Sequence, residues 1–542
     1  MFPTFLPRRH TSLLVVACIL SLSLFLFFKS PTLPQLPLIS SQKSATNNPP
    51  PPPPPITHHS TSSSSSPSSS DVIPVEFPDP FTFHTPTADE KFLTYLPHSG
   101  FHNQRIELEN ALLLAFYLNR TLLIPDVYLG NPAMPWLRFD KMYERILLQT
   151  KRGLDHCPQI PMGAPYPMEC LNYDRWTKVP WTFFYDLTPL TDQVRLVLRP
   201  DLSLQWLEST LGINTTSSKS KSSIRFLKDM SPYEFRVYDH MASKTPLSKF
   251  MHRYDVGTLQ AMDETLLHFG SVFGTHRVLA QQASHAAWLQ QIRTHLIFKT
   301  PVLVETARQV VEQLGGVGSF VGVHLRVGDG LFKVRASINI DDIYHALVNQ
   351  FTDLTLDELQ SLDPQHHEDR KERTDYEVKT LRVVTNITTA DVPLTVNHTG
   401  YEEQQRIGTT PPASLGLKCR PSHQDGGAGG TARFSRTVIY IATDAPNPAH
   451  NPLLRKIYDT FPCVFDLSDF SFAFDALRQV VVADERVRLD DYLIPMLDAI
   501  IAAQGEHFFG TKDSTFTSYI ERQLHPVYTH KPVKLAGPPV IH

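Results

Sequence analysis

Helical segments that lead directly into short apolar segments recur along this chain of 542 residues, and they leave few fold classes open. Residues 106–120 carry apolar side chains at helical spacing and lead into the apolar stretch 121–125. Strands that alternate with helices in this way predict an α/β fold with parallel sheets covered by helices. The later units are helix 301–316 before SFVGVHL (319–325), strand 437–443 before helix 451–461 and strand 463–467, and helix 493–506 before strand HFFGT (507–511) and helix STFTSYIERQL (514–524).

Two folded domains are predicted, because a chain of this length exceeds what one core usually organises. We place them at residues 85–310 and 311–535, each built on a Rossmann-like parallel sheet. A polar loop at 212–223 interrupts the first domain. A charged segment at 353–436, which ends in QDGGAGG, is expected to be a flexible surface insertion in the second. Two facing halves would place their strand ends around a central cleft, where ligands bind.

The N-terminal segment predicts a single transmembrane anchor followed by a stem. Residues 13–28 contain no charge and are flanked by basic residues. A helix of that length rises about 24 Å, which suits a thin internal membrane. The basic flank keeps residues 1–12 in the cytosol, so the remainder would be luminal, in the Golgi or the endoplasmic reticulum. A cleaved signal peptide is the alternative, although no small-x-small site follows the run. Residues 29–84 are rich in Pro and Ser and predict a disordered stem.

Sequons and cysteines agree with a secretory lumen. The even number of cysteines outside the anchor suits two disulfides, for which we predict the pairs Cys157–Cys170 and Cys419–Cys463. Reduced core cysteines are the alternative. The net charge of −4 argues against an extended nucleic-acid surface, so no nucleic-acid partner is expected. The N-x-[ST] sequons, candidate glycosylation sites, lie at Asn119, Asn214, Asn386 and Asn397.

The stretch VGVHLRVGDG (321–330) combines a buried strand with polar side chains at its end. Because side chains alternate along a strand, His324 and Arg326 share one face. They lie at the carboxyl end of the strand, which borders the ligand crevice in an open α/β sheet. The planar guanidinium of Arg326 suits bidentate contact with a phosphate. A structural salt bridge between Arg326 and Asp329 is the alternative.

Two helix starts offer further anion-binding groups. SGFHNQR (99–105) opens a helix at Gly100, where free N–H groups favour an anion and Asn103 and Gln104 could contact sugar hydroxyls. An ordinary Asn-capped helix would look much the same. Near the C-terminus, Ser514, Thr515 and Phe516 open a helix after strand HFFGT, which suits a diphosphate. On aromaticity alone, Phe516 could equally belong to the core.

Charge compensation at these sites falls to protein cations. Asp444 ends the strand YIATD and is a polar candidate at another strand terminus, with helix capping as its alternative role. The chain contains no Asp-x-Asp pair, the usual carboxylate clamp for a divalent cation on a diphosphate. We therefore expect no catalytic metal and no cofactor, and Arg326 would carry the charge of a leaving phosphate.

Taken together, these motifs resemble the protein O-fucosyltransferases and their relatives, which are inverting enzymes with a two-domain GT-B fold. The stretch GFHNQRIELENALLLAFYLNRT (100–121) resembles the first motif of that family, and VGVHLRVGD (321–329) resembles its His-Leu-Arg strand. YIATD (440–444) and LDAIIAAQGEHFFGTKDSTFTSYIER (497–522) resemble its later motifs. The resemblance implies GDP-fucose as donor, a Ser or Thr hydroxyl of a protein as acceptor, the acceptor side in the first domain and the nucleotide-sugar side in the second.

Roles carried over from the family fall on matching positions of this chain. Arg326 would contact the β-phosphate, His324 the nucleotide sugar, and Asn103 the diphosphate and fucose. The remaining positions implied to bind GDP-fucose are Gly100, Phe101, Asp444, Asp498, Ser514, Thr515 and Phe516.

One departure concerns the general base. A Glu precedes the Gly-Phe turn in one branch of the family, whereas this chain has Ser99. His102 is our candidate base, since an inverting transfer needs the acceptor hydroxyl deprotonated, although the leaving phosphate could also take the proton. Alternatives for the whole protein are a related enzyme with another donor sugar or a glycan acceptor, or a non-catalytic member that binds glycoproteins.

Overall fold

Parallel strands dominate the protein. The computed structural model describes residues 72–130, 135–161, 164–215, 223–328, 330–352, 417–420 and 437–533, which belong to one compact unit. The strands are β1 (Ile73–Pro74), β2 (Phe92–Thr94), β3 (Thr121–Pro125), β4 (Val127–Gly130), β5 (Trp176–Val179), β6 (Leu196–Arg199), β7 (Ile224–Leu227), β8 (Phe235–Tyr238), β9 (His252–Asp255), β10 (Leu266–Phe269), β11 (Val321–Leu325), β12 (Ile439–Thr443), β13 (Val464–Asp466), β14 (Val480–Val482), β15 (Val487–Arg488) and β16 (His507–Gly510).

Helices connect most of these strands, as the sequence predicted. A π-helical segment, Ile520–Leu524, separates the last two of them. The α-helices are α1 (Phe101–Leu118), α2 (Phe139–Leu148), α3 (Leu204–Leu211), α4 (Val256–Gln260), α5 (Ala283–His295), α6 (Pro301–Gln313), α7 (Gly330–Val334), α8 (Ala336–Phe351), α9 (Arg455–Thr460), α10 (Ser471–Arg478), α11 (Asp490–Ala502), α12 (Thr515–Tyr519) and α13 (His525–Tyr528).

Two parallel sheets organise the described residues. The first has five strands in the order β6–β3–β2–β10–β7, and the second has four in the order β13–β12–β11–β16. Every neighbouring pair within these two sheets is parallel. The prediction of an α/β fold with Rossmann-like parallel sheets is therefore confirmed. Each sheet takes all its strands from one side of residue 310, the boundary that we placed between the two domains.

Helix α1 lies in the core of the protein. Nearly all its side chains are buried, which explains why apolar residues occur on every side of it rather than along one stripe. It contacts β2, β3 and β4 of the first half and also α12 of the second. Its first turn therefore lies where the two halves meet.

Helix α11 packs unusually closely against strand β11. A Cβ atom at Gly322 would overlap the carbonyl oxygen of Ala502, the last residue of α11. The adjoining Gly505 would likewise place a Cβ 2.6 Å from the backbone nitrogen of Gly322. Glycine at both positions lets helix and strand approach backbone to backbone, and this contact fixes β11 in the middle of the second sheet.

The folded region begins earlier than the sequence suggested. We assigned residues 29–84 to a disordered stem, but β1 pairs in parallel with β14 through Ile73 and Val480. The backbone N–H of Leu198 also donates to the carbonyl of Pro80, at 2.9 Å. Apolar side chains such as Val75, which is buried, anchor this segment despite its prolines. The predicted tail, the anchor 13–28 and stem residues 29–71 lie outside the described residues.

Membrane insertion has no candidate among the described helices, none of which is long and apolar enough to cross a bilayer.

Both predicted disulfides are confirmed. Cys157 pairs with Cys170, and Cys419 pairs with Cys463. The second links residues 417–420 to the residue just before β13, and the backbone N–H of Arg420 donates to the carbonyl of Pro462 at 2.8 Å. The other residues of the predicted insertion 353–436 lie outside the described residues, as do the sequons at Asn386 and Asn397. Asn119 and Asn214 are exposed, and their glycosylation stays a prediction.

Candidate active site

The carboxyl end of β11 carries the first site residues. Because β11 lies between β12 and β16, its end opens at the middle of the sheet edge. His324 is buried, and its Nδ1 lies 2.7 Å from Oγ1 of Thr517. Its ring stacks on Phe516 with the ring centroids 4.4 Å apart. Thr517 directly follows the triplet predicted at the helix start, and only this contact identifies it as a site residue.

Arg326 follows the strand end and is half-buried. Its backbone N–H donates to Oγ1 of Thr511 at 3.0 Å, and its guanidinium lies over the ring of Phe332, 4.6 Å from the centroid. The N–H of Thr511 donates in turn to the carbonyl of His324, at 3.0 Å. These contacts restrict the backbone and the guanidinium plane of Arg326, so little conformational freedom remains to be lost when an anion binds. Asp329, its alternative partner, lies outside the described residues.

Asp444 supports the loop after Arg326. Its two carboxylate oxygens accept hydrogen bonds from the backbone N–H groups of Val327, at 2.7 Å, and Gly328, at 3.0 Å. A Cβ atom at Gly328 would come within 2.7 Å of the same carboxylate, so glycine is needed there. The capping role that we considered for Asp444 is therefore realised on a loop rather than on a helix, and a direct contact with donor stays a prediction.

Helix α12 begins at the second predicted anion site. Ser514 is buried, and its Oγ accepts a hydrogen bond from the N–H of Thr517 at 3.3 Å, so the hydroxyl caps its own helix. Thr515 and Phe516 are partly exposed. Gly510 ends strand β16, where a Cβ atom would overlap the side chain of Thr517. The start of α12 is thus packed tightly against the strand end beside it.

His102, in the first turn of α1, meets the same aromatic ring. Its imidazole lies edge-on to Phe516, with centroids 4.7 Å apart, and 5.2 Å from the ring of Tyr519. The ring is buried, and neither nitrogen has a hydrogen-bond partner among the described residues. Residues from three distant motifs, His102, Phe516 and His324, therefore form one cluster, which we call the His–Phe–His cluster.

Both imidazoles of this cluster are held neutral. Burial lowers the pKa of His324 to about 3, and the positive charge of Arg326 adds to the effect. Burial also lowers the pKa of His102 well below its usual value, with further contributions from Arg105, His324 and Arg326. A neutral His102 with so low a pKa accepts a proton poorly, which weakens the prediction that it serves as general base.

Phe101 and Gln104, in the same motif as His102, make their contacts within the first half of the protein. Phe101 is buried among Trp181, Phe184 and Phe298, with its centroid 4.8 Å from that of Phe184. The side chain of Gln104, a candidate for sugar hydroxyls, instead exchanges hydrogen bonds with the backbone of Tyr128 and donates to the carbonyl of Ser99.

Gly100 and Asn103 remain accessible at the start of α1. Gly100 is exposed, with nothing near a Cβ position, and Asn103 is half-buried. Asp498 lies in α11 and is buried, and its Oδ1 accepts a hydrogen bond from the hydroxyl of Tyr440 at 2.5 Å. Burial raises the pKa of Asp498 to about 7. Its role in reading the nucleotide stays a prediction.

Comparisons with known proteins add one segment of clear sequence similarity. No family model matches the chain. A stretch of 38 residues, 7% of the chain, is 63% identical to O-fucosyltransferase 30 of Arabidopsis thaliana and covers 8% of that protein. Over this segment the chain is similar to an O-fucosyltransferase. The resemblance found in the motifs is thereby confirmed, while activity and substrates remain to be proposed, since the match spans so little of the relative.

Solved structures give a weaker similarity. Crystal structures of POFUT1 with GDP and with GDP-fucose align over 83% of this chain and 98% of theirs, at 11% and 10% identity, with a TM-score of 0.33 in both cases. A score of that size does not establish a shared fold, and the parallel sheets described above rest on the strand pairing of this chain.

Proposed function

We propose that this protein is a glycosyltransferase that moves fucose from GDP-fucose to a Ser or Thr hydroxyl of a protein. The observation that carries the proposal is the convergence of three distant motifs on the His–Phe–His cluster, next to the end of β11 that bears Arg326. Those motifs are the ones through which the chain resembles the O-fucosyltransferases, and the segment shared with the Arabidopsis enzyme supports the same activity.

In the proposed reaction, Arg326 contacts the diphosphate of the donor. Negative charge builds up on GDP as the bond from the sugar to the β-phosphate breaks, and a preorganised guanidinium stabilises it. Comparable single charge stabilisers contribute about 3 kcal/mol to barrier lowering. Asp444 holds the loop that follows Arg326, and this loop in turn would keep Arg326 in position beside the diphosphate. Asn103 and Gly100, accessible at the start of α1, would meet the donor from the opposite side.

His324 and Phe516 would bind the uncharged parts of the donor. The neutral imidazole is fixed by its hydrogen bond to Thr517 and by stacking, so it presents a defined face rather than a second positive charge. Such a face suits the sugar hydroxyls or the base, while Arg326 alone meets the phosphates. A single displacement with inversion and without a metal completes the proposal, because the chain has no Asp-x-Asp pair to hold a divalent cation.

We also propose that the catalytic region works in the lumen of the Golgi or endoplasmic reticulum, tethered by a type II anchor at residues 13–28 and a stem. The two disulfides support an oxidising compartment, since cytosolic proteins rarely keep such bonds. Glycosylation at the four sequons would follow from the same location. A two-domain GT-B arrangement, with donor bound mainly by the second half, belongs to this proposal as well.

The proposal is tested by donor turnover in the full-length protein. GDP release from GDP-fucose should be detectable and should fall about 100-fold or more in Arg326→Ala, because the leaving charge loses its partner. Arg455→Ala is the matched control, since Arg455 is exposed on α9 and pairs with Asp459 on the same helix. Thermal unfolding of both variants checks that they fold.

The remaining outcomes separate the alternatives. Turnover of another nucleotide sugar in preference to GDP-fucose would identify a related enzyme with a different donor. Glycoprotein binding with no turnover of any nucleotide sugar would overturn the enzyme proposal in favour of a binding module. A donor raises the unfolding temperature if it binds the native state only, so a thermal-shift screen of nucleotide sugars finds the donor directly.

A further inference from the structure

A chain of hydrogen bonds leads from the surface into the core beside the start of α1. The Oγ of Ser99 lies 2.8 Å from Nδ1 of His98. Nε2 of His98 lies 3.1 Å from Oε1 of Glu107 and 2.7 Å from the Oγ of Ser271. Ser99 is partly exposed and immediately precedes Gly100, whereas His98 and Glu107 are buried. This path of hydrogen bonds therefore has its outer end, Ser99, within reach of a ligand at the start of α1 and its inner end, Glu107, in the protein interior.

Backbone geometry holds the outer end of this chain in place. Ser99 has φ +65°, in the left-handed region that side-chain-bearing residues adopt at a cost. The carbonyl of Ser99 accepts a hydrogen bond from Nε2 of Gln104 at 3.0 Å, and the N–H of His98 donates to Oε2 of Glu107 at 3.1 Å. These hydrogen bonds hold Ser99 in a left-handed conformation that glycine would adopt more easily, and so they keep a hydroxyl at this position.

The tautomer that fits these contacts is the one a proton relay needs. With a proton on Nε2, His98 donates toward Glu107 and Ser271, while its bare Nδ1 accepts the hydroxyl proton of Ser99. Ser271 keeps its place through Phe273, whose N–H donates to its Oγ at 3.0 Å, and the ring of Phe273 packs edge-on against His98.

The surroundings of the hydrogen-bond path make Glu107, at its inner end, a stronger base than an ordinary carboxylate. Burial raises the pKa of Glu107 well above its usual value, and the negative charge of Asp229 opposes ionisation too, while the His98 N–H, Ser271 and Arg277 act in the other direction. Burial and Arg277 together lower the pKa of His98 to about 3. A proton that enters the chain therefore settles on the carboxylate rather than on the imidazole.

We propose that Ser99, His98 and Glu107 form the proton relay that deprotonates the acceptor hydroxyl. This inference rests on the fucosyl transfer proposed above. The acceptor oxygen attacks the anomeric carbon as its proton passes to Oγ of Ser99. The Ser99 proton moves to Nδ1 of His98, and the Nε2 proton moves to Glu107. Atoms and charge balance: one new C–O bond forms, GDP leaves with the electron pair of the broken bond, and Glu107 ends protonated.

Ser99 is the member that meets the acceptor, and His98 and Glu107 act through it as positioning and proton-holding residues. In this arrangement activity requires an ionised Glu107, so kcat falls as the pH drops below the pKa of Glu107. His102 is not needed as a base.

The test measures kcat and KM for GDP release from GDP-fucose, with water as acceptor, across pH 5–9 in the full-length protein. Ser99→Gly is the main variant, because glycine accepts the left-handed backbone and the fold is kept. We expect kcat to fall about 100-fold, with KM for GDP-fucose and the dissociation constant of GDP changed less than about twofold. Its unfolding temperature should not fall.

Glu107→Gln should remove the acidic limb of the pH profile, since no group that titrates remains at the inner end. Glu109→Gln is the control, two residues on in the same helix and also buried, where Glu109 pairs with Arg293. It should lower stability and keep the acidic limb.

Each outcome decides between the two proposals. Wild-type kcat in Ser99→Gly, or an unchanged pH profile in a folded Glu107→Gln, overturns the relay and leaves the proposed fucosyl transfer intact. A wild-type protein that neither binds GDP nor turns over GDP-fucose overturns the proposed function and the relay together.

Discussion

Two neutral imidazoles on either side of one phenyl ring define the candidate site at the level of single residues. A protonated His324 would stand beside the guanidinium of Arg326 in a buried setting, which is unfavourable on both counts. The imidazoles therefore add no positive charge to that of Arg326.

The depressed pKa of His324 has a consequence for stability. The folded protein holds the ring neutral down to about pH 3, whereas the unfolded chain protonates it below about pH 6.5. Above about pH 6.5 the ring is neutral in both states and does not change the stability with pH. Below that pH the unfolded chain binds a proton that the folded protein does not, so the free energy of unfolding decreases as the pH falls.

We expect the free energy of unfolding of wild type, measured relative to that of His324→Gln, to decrease by about 2 kcal/mol from pH 7 to pH 5. Urea denaturation of the two proteins at several pH values measures this difference. A difference that does not change with pH would contradict the prediction, since it would mean that His324 protonates equally well in the folded and unfolded chain.

Among the elements, β11 positions most of the site. It is the strand onto which α11 packs at Gly322, and its neighbour β16 leads through Thr511 into α12. The side chains of β11 are all buried, so the strand cannot shift its register without exposing apolar side chains. The position of Arg326, just beyond the strand end, follows from that fixed register.

Gly322→Ala should strongly destabilise the protein, because the added methyl group would overlap the Ala502 carbonyl. We expect a loss of about 3 kcal/mol in the free energy of unfolding, the upper range for overpacking. Gly257→Ala in α4 is the control, as nothing lies within 4 Å of its Cβ position. Equal stability of the two variants by urea denaturation would show that α11 can move away from β11.

At the scale of the whole molecule, the two sheets are joined through α1 and its polar contacts. The guanidinium of Arg105 lies 4.5 Å from the ring centroid of Tyr519 and its Nη1 donates to Oε1 of Gln523, at 3.4 Å. These contacts connect the first helix of the first half to the last helices of the second. Because His102 stands one turn earlier on α1, the same contacts fix the His–Phe–His cluster.

The two disulfides should differ in their contribution to the stability of the whole chain. They close loops with sequence separations of 13 and 44 residues, and the larger loop loses more chain entropy in the unfolded state. Replacing Cys419 and Cys463 by Ser should cost about 4 kcal/mol, against about 3 kcal/mol for Cys157 and Cys170. Guanidinium unfolding of the two double variants measures both, and a reversed order would contradict the loop-entropy argument.

The fold class, the strand-end position of two site residues and the two disulfides could be predicted from the sequence by itself. Alternating helical and apolar segments determined the α/β class, because the periodicity of buried side chains differs between helix and strand. The same alternation placed His324 and Arg326 at a strand end, and the number of cysteines was enough to suggest two disulfides. These features depend on the order of residues within short segments, and that order is given directly by the sequence.

Only the tertiary structure decided which polar groups are available to a ligand. Asp444 is engaged by the loop at Gly328, Ser514 by its own helix, Phe101 by the aromatic core and Asp498 by Tyr440. Each of these partners comes from packing or hydrogen bonding that the local pattern does not contain. The same holds for the path from Ser99 to Glu107, whose members meet because the residues just before α1 lie against Glu107 on that helix. A buried polar group is satisfied by whichever partner the fold brings to it, often from a distant part of the sequence. The tertiary structure therefore determines which polar groups of the site are left to contact a ligand.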